Sequence, residues 1–183
     1  DDAISIKKIP EGYRLWVHIA DVSYYVRPGT ALDKEAYRRG TSVYVTDRVV
    51  PMLPQVLSNG ICSLNPHEDR FTITAQMDVG MDGAVRSAQI YPAIIRSDER
   101  MTYGNVNRII AKDEQLVRRY AHLLLMIDNM MGCSALIRKR RHALGAVNFE
   151  TRESKVIVDE QGVPQDIVLR ERGESERIIE DFM

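Results

Sequence analysis

The chain is poor in cysteine and carries almost no excess charge. Its two cysteines, Cys62 and Cys133, lie far apart among 183 residues and in no C-x-x-C pair. That excludes a disulfide framework and predicts buried free thiols of a reducing compartment. Net charge is −1, with 25 basic and 26 acidic residues. No global field draws the chain to nucleic acid or membrane, so any anion site must be local. No apolar run approaches the roughly 20 residues of a membrane span, and no signal or transit segment is visible. There is no H-E-x-x-H, no zinc spacing, no Walker loop and no G-x-G-x-x-G. Internal repeats, low-complexity segments and linkers are also lacking. His18, His67, His122 and His142 share no ligand spacing, and His18, inside an apolar strand, reads as a core histidine. Ser63 and Cys62 have no base partner close in sequence, which speaks against a nucleophilic enzyme.

What is present fits a globular domain. Apolar residues make up 44% and charged residues 28%, enough for one core and one domain. Ala3 to Lys8 predicts a strand and Pro10-Glu11-Gly12 a turn. Tyr13 to Val22 is apolar or aromatic on both faces, which predicts a central strand covered on both sides. Leu32 to Arg39 predicts a helix ended by Gly40, and Thr41 to Val45 a strand. Val49 to Pro66, with three prolines and an Asn-Gly, predicts a structured loop with a helical turn. Arg70 to Val79 and Ala84 to Arg96 flank the hairpin signal Asp82-Gly83. Thr102 predicts the cap of a short helix. Glu114 to Ala143 predicts one long helix, with Leu116, Tyr120, Leu123, Ile127, Met130, Ser134 and Ile137 at helical spacing. Val147 to Glu150, Lys155 to Val158 and Asp166 to Leu169 predict strands, the last two joined by a turn at Glu160-Gln161-Gly162. Ser175 predicts the cap of a helix still running at Met183. The expected fold is α/β of the α+β kind, a largely antiparallel sheet with a long packed helix.

Three groups could carry chemistry. Asp1 and Asp2, at the mouth of a strand, are candidate ligands for a hard divalent cation, which takes oxygen donors. Two carboxylates are too few for a two-metal phosphodiester site, and a solvated terminal turn is the bland alternative. A chain starting on such a pair looks cut through a site. Tyr24, Tyr25, Tyr44, Tyr103 and Phe149 fall near element ends, with Arg27, Arg96, Arg100 and Arg108 nearby in sequence. Aromatics so placed can stack on bases of a single strand; core packing is the alternative. Arg138-Lys139-Arg140-Arg141 closes the long helix, where the macrodipole favours cations, or contacts phosphate.

Taken in order, D-D-A, YRLWVHIADVSYYVRPGTALDKEAYRRGTSVYV, VVPMLPQVLSNGICSLNPHEDR, IRSDERMTYGNV, ALGAVNFE and RIIEDFM resemble the catalytic (RNB) domain of the ribonuclease II and ribonuclease R family. The likeness covers essentially the whole chain and is nearest to bacterial ribonuclease R. The L-S-x-x-x-C-S-L-x-P segment is its most specific part. The resemblance implies a processive 3′→5′ exoribonuclease that hydrolyses single-stranded RNA to nucleoside monophosphates with Mg²⁺. It further implies a cytoplasmic monomer with no membrane association and no small-molecule cofactor. The family's acidic motif is D-x₅-D-x-D-D, four aspartates holding two metals. Asp1 and Asp2 match its last two, the former essential for cleavage and both near metal. Tyr44 matches an aromatic that stacks on RNA, and Phe149 its partner across the stack. Tyr103 matches a residue beside the 3′ nucleotides. Glu180 falls where the family senses the sugar, with Asp181 adjacent and unseparated from it. A 2′-OH contact there would favour RNA over DNA.

The family's first two aspartates, an arginine-rich second half of the domain, and oligonucleotide-binding domains of cold-shock and S1 type fall outside these residues. Residues 1–183 are therefore expected to be a partial domain, truncated at both ends, with little activity alone. Glu176 stands where relatives commonly have His. The rival expectation is a non-catalytic RNA-binding remnant of the same family; a third is a fragment that serves as a folding unit.

Overall fold

The computed structural model describes residues 2–45, 48–147, 154–159, 161–169 and 172–183. Four long strands form one antiparallel sheet, in the order β1 (Asp2–Ile9), β2 (Gly12–Ala20), β5 (Asp69–Gly80), β6 (Val85–Arg96). The β1–β2 turn needs glycine at Gly12. Its φ is +149°, and a Cβ there would lie 2.0 Å from the Val79 carbonyl oxygen, so no other residue fits.

Two elements pack on one sheet face: α5 (Leu124–Ala143) and α6 (Glu174–Phe182). The main core joins Ile6, Tyr13, Leu15, Val17 and Val79 of the sheet to Cys133, Ile178 and Phe182 of these helices. Each large aliphatic side chain so buried contributes about 1.5–3 kcal/mol. Two residues apart along β2, every second side chain (Tyr13, Leu15, Val17) enters that core, as a period of two demands.

The expectation that β2 is covered on both sides holds for part of its length. On the second face, Ala20 meets Cys62 and Leu64 from the loop before β5, with Ala3, Leu57 and Ile95 packed around them. Thr72 and Thr74, on that face, are also buried. Towards the other end, the same face carries Arg14 bonded to Asp78 at 2.6 Å and Trp16 to Gln76 at 2.9 Å, all part-buried. Polar cross-strand pairs there replace an apolar cover.

Smaller elements occur among the other described residues. They are α1 (Val22–Tyr25), α2 (Ala31–Arg39), the ribbon β3 (Val43–Tyr44) with β4 (Val49–Val50), a π-helical turn Val56–Ile61, α3 (Tyr103–Ile110), α4 (Glu114–Arg119), and the ribbon β7 (Ser154–Val158) with β8 (Pro164–Leu169). The predicted strand Thr41 to Val45 shrinks to two residues, because its pairing with β4 spans Val43–Val50 and Tyr44–Val49 alone. Of the predicted strand Val147 to Glu150, Val147 is not in a strand and the rest lies outside the described residues, as does Glu160 of the following turn.

Two predictions are corrected. The single helix Glu114 to Ala143 is broken after α4. Tyr120 leaves helical geometry (φ −107°, ψ 30°) and a 3₁₀ turn, Ala121–Leu123, leads into α5. The change in direction brings Tyr120, Leu123 and Ile127 into one buried cluster with Ile109 of α3, so tertiary packing overrides the continuous sequence period. Ser175 is not the cap of α6. Gly173 holds that position, and the Glu176 carboxylate reaches back to its N–H at 3.0 Å, half of a capping box.

Candidate active site

Asp2 opens β1 opposite Ile19 of β2. Its side chain leaves the sheet on the face of Ile4 and Ile6, beyond the helices, and is exposed. Next to it, Ala3 packs on Ala20, Cys62 and Leu64. The L-S-x-x-x-C-S-L-x-P segment thus underpins the strand end that carries the acidic residue. Asp1 lies outside the described residues. Among the described residues no group of three or more His, Cys, Asp or Glu side chains is placed to hold a metal ion. A hard divalent cation takes six or more oxygen ligands, so Asp2 does not make a cation site by itself.

Tyr44 sits on the β3–β4 ribbon with its side chain 78% exposed. The ribbon is tied down by the Ser42 hydroxyl, which accepts from the Met52 N–H at 2.9 Å, and by Arg39, which donates to the Pro51 carbonyl at 3.1 Å. An exposed aromatic ring presented on a fixed base can stack on a nucleobase. Its expected partner, Phe149, lies outside the described residues.

Tyr103 and Glu180 belong to two helices that a buried polar clasp joins. Tyr103 opens α3 and is half-exposed. The Ser175 hydroxyl, buried, donates toward the Tyr103 carbonyl at 3.1 Å. The Ser175 N–H donates to Asn107 Oδ1 at 2.9 Å, and Asn107 Nδ2 donates to the Glu176 carboxylate at 3.0 Å. Burial opposes the charge on Glu176, but hydrogen bonds from Asn107, Ser175 and the Gly173 N–H outweigh it and hold its pKa below the usual carboxylate value. Glu176, where the resemblance expects histidine, is therefore an anionic brace between α3 and α6.

The structure separates Glu180 from Asp181. Glu180 is exposed and paired with Arg172. Asp181 has a side chain only 6% exposed and is fully engaged: Ser134 Oγ donates to it at 2.6 Å and Arg138 at 3.0 Å. Of the two, only Glu180 presents its carboxylate to solvent, where a ligand could meet it.

The RNB domain family model matches residues 1–183. The chain belongs to the RNB domain family. It is 50% identical over 184 residues to ribonuclease R 1 of Lactococcus lactis, covering 100% of this chain and 22% of that protein. To ribonuclease R of Thermotoga maritima it is 48% identical over 185 residues, with 100% and 26% covered. Mycoplasma genitalium RNase R in complex with double-stranded RNA superposes with a TM-score of 0.92 at 32% identity, over 100% of this chain and 32% of that one. The chain thus spans about a quarter of the length of these curated relatives.

Other candidates of this RNB domain have structural roles. Arg138 joins Glu174 and Asp181 of α6 at 2.9 and 3.0 Å. Arg141 reaches Asp181 at 3.4 Å and Arg140 reaches Asp82 at 3.8 Å. At the basic end of α5, Arg138, Arg140 and Arg141 thus all meet carboxylates within the domain. His18 lies 3.2 Å from the Ser5 hydroxyl and 2.9 Å from that of Thr74, and burial lowers its pKa. It is the satisfied core histidine that its place in the strand predicts. Phe71 and Asn107 escaped the sequence reading. Both contacts are long-range, Phe71 with Tyr24 and Asn107 with Glu176, and no local spacing marks them.

Proposed function

We propose that the whole protein is a processive 3′→5′ exoribonuclease, which hydrolyses single-stranded RNA to nucleoside monophosphates in the cytoplasm, as a monomer, with Mg²⁺. The observation that carries this reading is the match of the RNB model to every residue of the chain. In this reading Asp1 and Asp2 contribute part of a carboxylate cage for the metal, and Asp1 is indispensable for cleavage. Tyr44 and Phe149 stack on the terminal nucleotides, for which the exposure of Tyr44 leaves room. Tyr103 and Glu180 meet the ribose of the 3′ nucleotides. The half-exposed Tyr103 ring and the solvent-facing Glu180 carboxylate support that assignment. Residues 1–183 form part of one catalytic domain and hydrolyse little or no RNA alone.

The test uses the full-length protein and a single-stranded RNA labelled at either end. The 3′ label is expected to leave at once as a mononucleotide, while the 5′ label persists into a short limit oligomer, and only with Mg²⁺ present. Release of the 5′ label first overturns the direction. Asp1→Asn is expected to abolish degradation and leave RNA binding within about twofold, since phosphate and base contacts carry affinity. Undiminished cleavage by that variant refutes its role. RNA binding by the wild-type protein without any Mg²⁺-dependent cleavage would select the non-catalytic RNA-binding alternative.

A further inference from the structure

Twenty residues beyond Asp2 in sequence, the chain builds an aromatic ladder on the same sheet face. Asp21 follows β2 and caps α1; its N–H donates to the Phe71 carbonyl at 2.9 Å, and its carboxylate accepts from Tyr24 N–H at 3.1 Å. That cap sets the Tyr24 ring on Phe71, with centroids 4.3 Å apart and planes at 29°. Tyr25 packs edge-on against Tyr24 at 5.1 Å. Phe71 fills one face of the Tyr24 ring. The Arg27 guanidinium, 5.2 Å from the same ring centroid, therefore lies over the other.

Tyr25 packs on the Ala20, Cys62 and Leu64 cluster, but the Tyr24–Phe71 pair is not core. Tyr24 is 45% exposed and Phe71 36%. Arg27 makes no ion pair among the described residues, whereas Arg96 bonds to the His67 carbonyl and Arg108 to Asp113. Arg27 thus combines a stacked plane with uncommitted N–H donors.

Strand register locates the ladder relative to the acidic end. Asp2 pairs with Ile19, and Ile19 with Ile73; Phe71 is two residues along from Ile73. Asp2 and Phe71 therefore project from the same face, with Cα atoms about 12 Å apart by strand spacing and rise. Ile19 and Ile73, between them, are partly exposed.

We propose that Phe71, Tyr24 and Arg27 form a nucleotide subsite for single-stranded RNA beside Asp2: one base takes the place of the Arg27 guanidinium on the outer face of the Tyr24 ring, and the displaced guanidinium donates to a backbone phosphate. Stacked π-planes next to a free guanidinium are the chemistry that holds unstacked bases without reading sequence. The inference rests on the exoribonuclease reading and adds a contact separate from Tyr44, Phe149, Tyr103 and Glu180.

The experiment uses the full-length protein in an Asp1→Asn background, with a single-stranded RNA carrying one abasic nucleotide at successive positions from the 3′ end. One abasic position is expected to weaken binding about tenfold in the parent and less than twofold once Tyr24→Ala is introduced. Arg27→Ala is expected to lower the slope of log K against log salt by about 0.7, the loss of one phosphate contact on a single strand. Tyr24→Phe keeps the ring and should bind as the parent does, which separates stacking from misfolding. A parent that binds RNA while Tyr24→Ala and Arg27→Ala leave the abasic profile and salt slope unchanged overturns the subsite alone. A parent that does not bind RNA overturns the exoribonuclease reading and the subsite with it.

Discussion

Arg138 of α5 donates to Asp181 of α6 at 3.0 Å, on a carboxylate that also accepts the Ser134 hydroxyl at 2.6 Å. The Asp181 side chain is 6% exposed and that of Arg138 29%. Burial opposes the charge on Arg138, but its bonds to Glu174 and Asp181 outweigh it and raise its pKa. Removing the carboxylate leaves Arg138 with Glu174 as its one strong ion-pair partner and the Ser134 hydroxyl without its acceptor, which costs about 1–3 kcal/mol. Asp181→Ala is expected to lower the urea midpoint accordingly. Asp181→Asn, which can still accept from Ser134, should lose less. Equal midpoints for Asp181→Ala and wild type would remove this pair from the forces holding α6.

The clasp between α3 and α6 depends on a missing side chain. Gly173 has ordinary backbone angles (φ −89°, ψ −173°), but a Cβ there would lie 2.2 Å from Asn107 Nδ2. Alanine must push Asn107 away from the Ser175 N–H and the Glu176 carboxylate. Gly173→Ala is expected to cost about 1–3 kcal/mol, the range for unpaired buried polar groups. The α6 amides should also exchange hydrogen faster. Unchanged exchange in α6 would show that the clasp is dispensable.

Tyr44 touches solvent more than protein, so its loss should separate stability from function. Tyr44→Ala is expected to change stability by less than about 0.5 kcal/mol. In the full-length protein it should weaken RNA binding by roughly 5- to 100-fold, the worth of one stacked base, and lengthen the final undigested oligomer. An unchanged end product on a sizing gel would count against stacking by Tyr44.

Two groups give opposite pH signatures. Arg38 and Arg39 hold the Glu35 pKa down at about 2, against an ordinary 4.5, chiefly through direct hydrogen bonds. A depressed carboxylate stabilises the fold above pH 4.5, and the contribution is lost as pH falls towards 2. Burial pushes the Cys133 thiol up to about 12 from 9.0. A raised thiol pKa stabilises fully below pH 9 and loses its contribution as pH climbs towards 12. Glu35 should titrate near 2 by carboxyl NMR and near 4.5 in Arg38→Ala/Arg39→Ala. Cys133 should resist alkylation at pH 8 until denaturant is added. A Glu35 midpoint of 4.5 in the wild type, or rapid labelling of Cys133 in the folded chain, would contradict these environments.

Much of the fold was legible in local pattern. The four long strands, α2 with Gly40 at its end, α3 with Thr102 as cap and the hairpin at Asp82-Gly83 all sit where period and punctuation put them. These features depend on neighbours within a few residues, and one sequence contains them all. The break at Tyr120 was not legible, because helical spacing continues through it while the buried contact with Ile109 that rewards the turn is non-local. Ser175 drew the wrong role for the same reason. Its hydroxyl looks like a cap locally, yet it is committed to Tyr103 of another helix.

The sequence by itself determined the family, and the resemblance nominated the residues proposed to carry the chemistry: Asp1 and Asp2, Tyr44, Tyr103, Phe149 and Glu180. Ordered motifs survive as text, whatever the fold does with them. Only the tertiary structure gave Glu180 and Asp181 different surroundings, because Arg138 and Ser134 reach one and not the other. It also paired the arginines at the basic end of α5 with carboxylates of the domain, and set Phe71 beneath Tyr24. Burial and charge pairing depend on side chains distant in the chain, so sequence proximity could not reveal them.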